Sequence, residues 1–315
     1  MTTDLKKSVI LHAGVVLALF VLQFVLPAYH HGNMARIMVL ASYAIGYNLL
    51  FGYTGLLSLG HALFFAAGLY GAGLAMSQFG LSAGPALVVG VVAGVVIGAV
   101  VGGLALRTEG VAFMIVTLMF AQAGYLTILY FGAYTRGDEG FVIEQAERVL
   151  LGADLSDPLM RYFAAFSLFC AAIFTCFLAV KSRFGRVLVA IRENEERASM
   201  LGYDVAKYKL GAVVLSAGLS ALAGAGYALL FGYVGASFAS VQYSIFPLLW
   251  VLLGGAGTVL GPLVGTVFMF YLIDLSSGLT TAYMLIAGVA LVVLTVFAPH
   301  GVMGEVRRRM WRWLP

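Results

Sequence analysis

Charged residues are scarce in this sequence: only 10% of its 315 residues are Asp, Glu, Lys or Arg, whereas 62% are hydrophobic. In an ordinary soluble domain about a quarter of the residues are charged, so the composition excludes that class. The mean hydropathy of +1.00 and the 39 glycines are typical of a polytopic helical membrane protein with closely packed helices. The net charge of +4 does not indicate nucleic-acid binding, because no basic stretch alternates with aromatic residues.

The residues that build catalytic and metal sites are also few. Cys170 and Cys176 lie six residues apart in one apolar run, which argues against a disulfide, and the five histidines show no metal-ligand spacing. The sequence contains neither the G-x-x-x-x-G-K-[ST] phosphate loop nor a G-x-S-x-G nucleophile motif. We therefore predict that the chain is not an enzyme and binds no metal and no cofactor, ATP included.

Ionisable residues are nearly absent from the apolar runs themselves. Asp274 is the only carboxylate within them, and His12 and His61 are the only histidines. A carrier coupled to a proton or sodium gradient usually needs buried acids, histidines or coordinating carbonyls near the membrane centre. We interpret Asp274 as a side chain that snorkels or pairs, and His61 as one that bonds to neighbouring backbone. An ion-coupled secondary carrier remains the alternative of another class, and a non-transporting membrane scaffold is a third.

Apolar runs of about 20 residues are long enough to span a bilayer. The run from Ser8 to Ala28 is too long for a signal peptide and lacks a cleavage site, so we expect it to be an uncleaved first span. The sequence thus predicts an all-α polytopic membrane protein with about ten spans, near 8–28, 36–52, 60–79, 85–106, 111–134, 161–180, 209–231, 244–256, 259–276 and 281–298.

Two glycine-rich interruptions stand out among these spans. One is Gly52-Tyr53-Thr54-Gly55, after the second span; the other makes the eighth and ninth spans short and contains Gly254, Gly255, Gly257, Gly261 and Pro262. Backbone groups freed by such breaks are tolerated in a membrane only where protein or a water-filled cavity satisfies them. Broken helices of this kind can line a translocation path and form a gate. Tight turns without a transport role are the equally weighted alternative.

The basic residues set the orientation. With both termini in the cytoplasm, 14 of the 18 Lys and Arg fall inside, among them Arg307, Arg308, Arg309 and Arg312 after the last span. The segment 181–209 is then cytoplasmic, and the segment 135–160 is an external acidic loop. The acids of that outer loop are Asp138, Glu139, Glu144, Glu147, Asp154 and Asp157.

The cytoplasmic segment 181–209 carries eleven charged residues of both signs between two apolar runs. Asn194 is a good N-cap, Glu195 and Glu196 suit a first helical turn, and Gly202 can end a helix. We therefore predict a short exposed helix over 195–201. An ordinary positively charged loop that only sets orientation is the alternative.

Three blocks of the sequence resemble one family. They are GYNLLFGYTGLLSLGHALFFAAGLYGAG (46–73), AIRENEERASMLGYDVAKYKLGAVVLSAGLSALAGAGYAL (190–229), and LLGGAGTVLGPLVG (252–265) with FAPHGVMG (297–304). Together they are similar to the LivM-type permeases, the membrane subunits of bacterial ABC importers for branched-chain amino acids. Because the blocks follow in order along nearly the whole chain, we expect residues 1–315 to form a single permease domain.

The resemblance implies several partners and a place in the bacterial inner membrane. The partners are a second, LivH-like permease, two cytoplasmic ATPase subunits that bind ATP and Mg, and a periplasmic solute-binding protein. It also implies that the residues matching Arg192–Gly202 form the coupling helix that docks on an ATPase. The external acidic loop is longer than is usual in such permeases, and related importers carry urea, short amides or aromatic acids.

These inferences yield three sets of candidate residues. The candidates for coupling to the ATPase are Arg192, Glu193, Asn194, Glu195, Arg197, Ala198 and Gly202. Among them, Glu195 and Arg197 would form ion pairs with the ATPase, and Ala198 and Gly202 would allow its close approach. For the translocation path, or alternatively for packing between helices, they are Tyr47, Asn48, Tyr53, Ser58, His61, Phe64, Thr117 and Gln122. For the gate they are Gly254, Gly255, Gly257, Gly261 and Pro262.

Overall fold

The computed structural model describes residues 2–150 and 152–310, so that Leu151 in the predicted external loop and Arg312 lie outside the described residues. Nearly all of the described chain is helical. Its helices are α1 (Thr2–Val25), α2 (Ala28–Asn48), α3 (His61–Ser77), α4 (Ala83–Ala105), α5 (Gly110–Tyr130), α6 (Gly132–Thr135), α7 (Pro158–Lys181), α8 (Arg183–Glu193), α9 (Glu195–Met200), α10 (Val205–Phe231), α11 (Val241–Gly254), α12 (Gly261–Ser277), α13 (Tyr283–Phe297) and α14 (Gly301–Arg309).

Ten apolar helices coincide with the ten predicted spans. Six of them, α1, α2, α4, α5, α7 and α10, are long and apolar enough to cross a membrane, and α3, α11, α12 and α13 are shorter. The prediction of an all-α polytopic membrane protein with some short spans is therefore confirmed. α11 and α12, the predicted short eighth and ninth spans, have 14 and 17 residues.

Three helices begin well before the spans predicted for them, and the first is α1, which begins at Thr2 instead of residue 8. α2 begins at Ala28 instead of residue 36, because its early polar side chains find partners: His30 Nδ1 lies 3.1 Å from the Tyr271 hydroxyl, and His31 Nε2 lies 2.8 Å from the Leu26 carbonyl. α10 begins at Val205 instead of 209, because the Asp204 carboxylate accepts a bond from the Lys207 amide (3.1 Å) and caps the helix.

The centre of the molecule consists of α2, α3 and α10, which are mostly buried, while α1, α4, α5 and α7 pack around them and remain largely exposed. Small residues let these helices approach closely. A glycine recurs at every fourth position of α4 from Gly90 to Gly102, and a Cβ on Gly94 would collide with the Ala221 methyl of α10. Such a stripe is the usual interface between packed membrane helices.

At one end of the helices the predicted external loop forms short strands. β1 (Phe141–Val142) pairs antiparallel with β4 (Tyr233–Val234), and β2 (Val149–Leu150) pairs with β3 (Ala153–Asp154). At the same end, the Asp274 carboxylate accepts a hydrogen bond from the Tyr29 hydroxyl (3.1 Å). Asp274 therefore has a hydrogen-bond partner, and its role stays a prediction.

Candidate functional site

The first glycine-rich interruption continues α2 as a π-helical turn, Leu49–Tyr53. After Thr54, residues 55–60 have no helical structure, and α3 begins at His61. π-Helical turns are rare and occur frequently at functional sites. Gly52 lies in this turn against the second interruption, where a Cβ would collide with the Asn48 side chain and the Gly257 amide. Gly55 follows with a φ of +77°, a left-handed conformation that glycine adopts without strain.

The second interruption joins α11 to α12. Gly255 and Gly257 have φ values of +116° and +73°, and Pro262 lies in the first turn of α12, where its missing N–H costs nothing. Gly254 ends α11 directly against Gly261, and a Cβ there would collide with the Gly261 carbonyl. The glycines predicted for the gate therefore build a tight, buried reversal between two short helices.

The buried side chain of Asn48 joins the two interruptions. The Asn48 Nδ2 donates to the Thr258 carbonyl (2.9 Å), and the Asn48 Oδ1 accepts from the Gly257 amide (2.9 Å). Both backbone groups belong to the reversal and have left the helical hydrogen-bond pattern. We call Asn48, Gly52 and Gly257 the break junction.

Two arginines, one from α8 and one from α14, bind this junction. Arg192, near the end of α8, donates from Nη1 to the Gly52 carbonyl. Arg307, in α14, donates from Nη1 to the Gly257 carbonyl (3.1 Å). Each interruption thus exposes a carbonyl that a guanidinium satisfies, as backbone freed within a membrane requires. Sequence reasoning missed this role of Arg307, whose only signal was its place in the basic run after the last span.

Most of the candidate path residues lie buried beside the first interruption. The Tyr47 hydroxyl donates to the Ser58 carbonyl (3.0 Å). The Thr117 hydroxyl accepts from the Leu59 amide (3.2 Å), and His61 Nε2 lies 2.8 Å from the Ser216 hydroxyl. His61 was expected to bond to backbone, and the structure corrects this: its hydrogen bond goes to a side chain.

The other candidates divide into two groups. Ser58, Phe64 and Tyr53 are buried as well, and the Tyr53 hydroxyl has no hydrogen-bond partner within the described residues. Gln122, on α5, is only half-buried. Sequence reasoning missed Ser216, which bonds to both His61 and the Gly46 carbonyl (2.6 Å); its only signal was a serine in an apolar helix. In this conformation the buried candidates tie the interruption to its neighbours, and their contact with a solute stays a prediction.

The coupling candidates occupy two consecutive helices. Arg192 and Glu193 end α8, Asn194 caps α9 with a 2.8 Å bond from the Arg197 amide to its Oδ1, and Gly202 follows α9 with a φ of +86°. The short capped helix predicted for 195–201 is therefore confirmed as α9 (Glu195–Met200). α8, in contrast, was not predicted.

One of the coupling candidates, Ala198, faces inward, which corrects its expected direction. Ala198 is only 1% exposed and packs with Val187 and Ile191 of α8, so it allows close approach within this chain and not to a partner. Glu195 pairs with Lys209 of α10 at 2.6 Å. The ion pairs predicted between this helix and a partner stay untested for Glu195 and Arg197.

Large apolar side chains mark the tip of the same segment. Met200 is 83% exposed and Leu201 75% exposed at the end of α9, in the most highly charged part of the chain. Apolar side chains exposed side by side in polar surroundings are typical of protein–protein contact sites. Sequence reasoning missed both residues, although two apolar residues directly before Gly202 in a charged segment could have indicated a contact surface.

The comparison with known proteins gives consistent results. The family described as branched-chain amino acid transport system, permease component, matches residues 32–296. The high-affinity branched-chain amino acid transport system permease protein LivM of Escherichia coli is 25% identical over 87% of this chain and 69% of its own length. The LivM of Salmonella typhimurium is 26% identical over the same shares. A probable LivM of Methanocaldococcus jannaschii is 37% identical over 26% of this chain and 24% of its own length. No solved structure matches the chain.

Proposed function

This chain belongs to the family of permease components of branched-chain amino acid transport systems, and we propose that it forms half of the translocation path of an ATP-driven importer in the bacterial inner membrane. A second, LivH-like permease forms the other half. Two ATPase subunits hydrolyse ATP with Mg on the cytoplasmic side, and a periplasmic binding protein delivers the solute. The family consists of transporters, not enzymes, so the energy enters from the partner ATPases.

The exposed pair Met200 and Leu201 carries the proposal that α9 docks on an ATPase. At 83% and 75% exposure these side chains leave apolar surface in water, which association with a protein partner would remove. Burying side chains of this size is worth about 1.5–3 kcal/mol each. The exposed charges around them suit the polar rim of such an interface.

A continuous chain of contacts leads from this tip to the break junction. α9 packs on α8 through Ala198, Val187 and Ile191, and α8 ends at Arg192, whose guanidinium is bonded to the Gly52 carbonyl. A displacement of α9 is therefore transmitted through α8 to the π-helical turn of α2. Because that turn and the reversal at Gly257 are joined by Asn48, both interruptions move together.

The proposed solutes are branched-chain amino acids, as the names of the relatives state for those proteins. Urea, short amides and aromatic acids are the competing solutes that the family resemblance brings. Reconstitution of the chain with its partner subunits in proteoliposomes tests the proposal. We expect leucine uptake that requires ATP and is inhibited by excess isoleucine and valine. Uptake by this chain alone, driven by an ion gradient, would instead establish a secondary carrier.

The docking surface is tested by replacing Met200 and Leu201 together with serine. We expect less ATPase to copurify with the variant and ATP-driven uptake to fall, with the amount of protein in the membrane unchanged. Leu279→Ser is the matched control, because Leu279 is 86% exposed at the opposite end of the helices. Unchanged ATPase recovery with the double variant would show that α9 is not the docking surface.

A further inference from the structure

A cleft of about 680 Å³ opens beside the break junction. Its apolar wall comes from the ends of the transmembrane helices, through Phe51 and Leu252, and its polar wall consists of the basic residues Arg192, His300, Arg307 and Arg308. The cleft therefore combines three guanidinium groups with the end of the apolar helix bundle. The coupling role proposed above uses Arg192 only through its bond to the Gly52 carbonyl, and it assigns no ligand to the cleft.

Two of these guanidiniums are fixed in place and retain free hydrogen-bonding capacity. Arg192 and Arg307 each use Nη1 on a backbone carbonyl, which leaves Nε and Nη2 as donors. In the described part of the chain neither takes part in an ion pair, whereas Arg308 pairs with Glu305 at 2.8 Å. Preorganised guanidinium forks with spare donors are suited to phosphate oxygens.

Exposed apolar side chains lie next to the cleft. On the last turns of α13, immediately before His300, Val296 is 71% exposed and Phe297 is 80% exposed. α14 then presents three arginines in its last turn. Basic residues directly cytoplasmic of a membrane helix, and basic pockets between such helices, are recognised features of anionic-lipid binding.

We propose that this cleft binds the phosphate headgroup of an anionic phospholipid, with Arg192 and Arg307 donating to the phosphate and the acyl chains lying along α13. Soluble phosphate shares the headgroup chemistry, but it would gain nothing from the exposed apolar turns of α13. The bound headgroup would connect α8 and α14 directly, in addition to the bonds that both helices make to the break junction.

Lipid binding to the purified full chain in neutral detergent, without ATP or solute, tests the proposal. Phosphatidylglycerol, phosphatidylcholine and inorganic phosphate are titrated separately, and bound lipid is counted by native mass spectrometry together with the shift of the melting midpoint. We expect phosphatidylglycerol to bind at least tenfold more tightly than phosphatidylcholine, and millimolar phosphate not to displace it. Equal binding of the two lipids, or displacement by phosphate, would overturn the proposal.

Matched variants locate the site. Arg307→Gln is expected to weaken phosphatidylglycerol binding about fivefold, the effect of one basic residue near an anionic surface. Arg309→Gln, which removes the same charge from the same helix but does not line the cleft, is expected to leave it unchanged. If Arg307→Gln fails to fold, Arg308→Gln serves instead. Arg308 and Arg309 both pair with Glu305, but only Arg308 lines the cleft, so the two variants differ in their position relative to the site. Equal losses with the cleft variant and Arg309→Gln would reduce the effect to general surface charge and refute the site. Because the assay uses neither ATP nor solute, its outcome is independent of the transport proposal.

Discussion

Replacement of Asn48 by leucine is the sharpest test of the break junction. Leucine has a similar size but no polar atoms, so the substitution removes both bonds that join α2 to the reversal between α11 and α12. The Gly257 amide and the Thr258 carbonyl, each bonded to Asn48 at 2.9 Å in the native chain, would lose these partners in a buried place.

The expected loss of stability follows from those two backbone groups. A buried donor or acceptor left unsatisfied costs about 1–3 kcal/mol, so the two together cost roughly 2–6 kcal/mol. In proteins of 150–250 residues one kcal/mol corresponds to about 2–4 °C in the melting midpoint. We therefore expect the midpoint of Asn48→Leu to fall by at least roughly 4 °C.

The matched control lies on the same helix. The Ser42 hydroxyl is buried as well, but it donates only to the Met38 carbonyl of its own helix (2.8 Å), so Ser42→Ala leaves no backbone group without a partner. Both variants are purified in the same detergent and lipid, and their unfolding is followed by intrinsic fluorescence and by loss of monodisperse protein. A midpoint of Asn48→Leu within 1 °C of that of Ser42→Ala would refute the idea that Asn48 holds the two interruptions together.

Three further predictions concern other parts of the chain. Arg192→Ala removes the bond from α8 to the Gly52 carbonyl, and a hydrogen bond of this charged kind is worth about 1.5–3 kcal/mol. We therefore expect ATP-driven uptake to fall roughly tenfold or more in Arg192→Ala, while Arg192→Lys keeps part of the uptake. Equal losses in the two variants would contradict a bonding role of Arg192. Gly94→Ala would collide with α10, and we expect it to lower the melting midpoint by the equivalent of about 1–3 kcal/mol. Gly103→Ala lies on the same helix with open space around it and should leave the midpoint unchanged. Indistinguishable midpoints of the two variants would argue against a close crossing of α4 and α10. The pKa of Asp204 is lowered, mainly by the hydrogen bond from the Lys207 side chain and next by that from the Lys207 amide. The stability that Asp204 contributes to the folded chain is therefore fully present above the ordinary aspartate pKa of about 3.9, and it is lost as the pH falls through the lowered pKa. The midpoint difference between the native chain and Asp204→Ala should therefore shrink in acid, and a difference that grew there would reverse the assigned sign.

Much of the fold could be predicted because a bilayer imposes a length and a composition on each span. The ten apolar runs became ten apolar helices, and the capping signals at Asn194 and Gly202 placed α9 to within one residue. Such local signals depend only on neighbours in sequence. The start of α2 was missed because His30 is held within the helix by the Tyr271 hydroxyl, a partner from a distant helix that no window of sequence contains.

The candidate site was predicted less completely. Both glycine-rich interruptions were found, since glycine at such density disrupts a helical pattern. That they meet through Asn48, and that Arg192 and Arg307 bind their carbonyls, could not be foreseen, because these contacts join segments about 50 to 210 residues apart. The direction of Ala198 was also wrong, since the face that a six-residue helix buries depends on the helices packed against it.

The sequence by itself determined that this chain lies in a membrane and that its spans are helical. It also determined where the two interruptions lie and to which family the chain belongs. These features depend on hydropathy, glycine placement and motif order, all of which are properties of the sequence alone. Only the tertiary structure decided which residues connect α8 and α14 to those interruptions. Hydrogen bonds between distant segments form where packing brings a free donor to a free acceptor, and that proximity is a property of the folded chain.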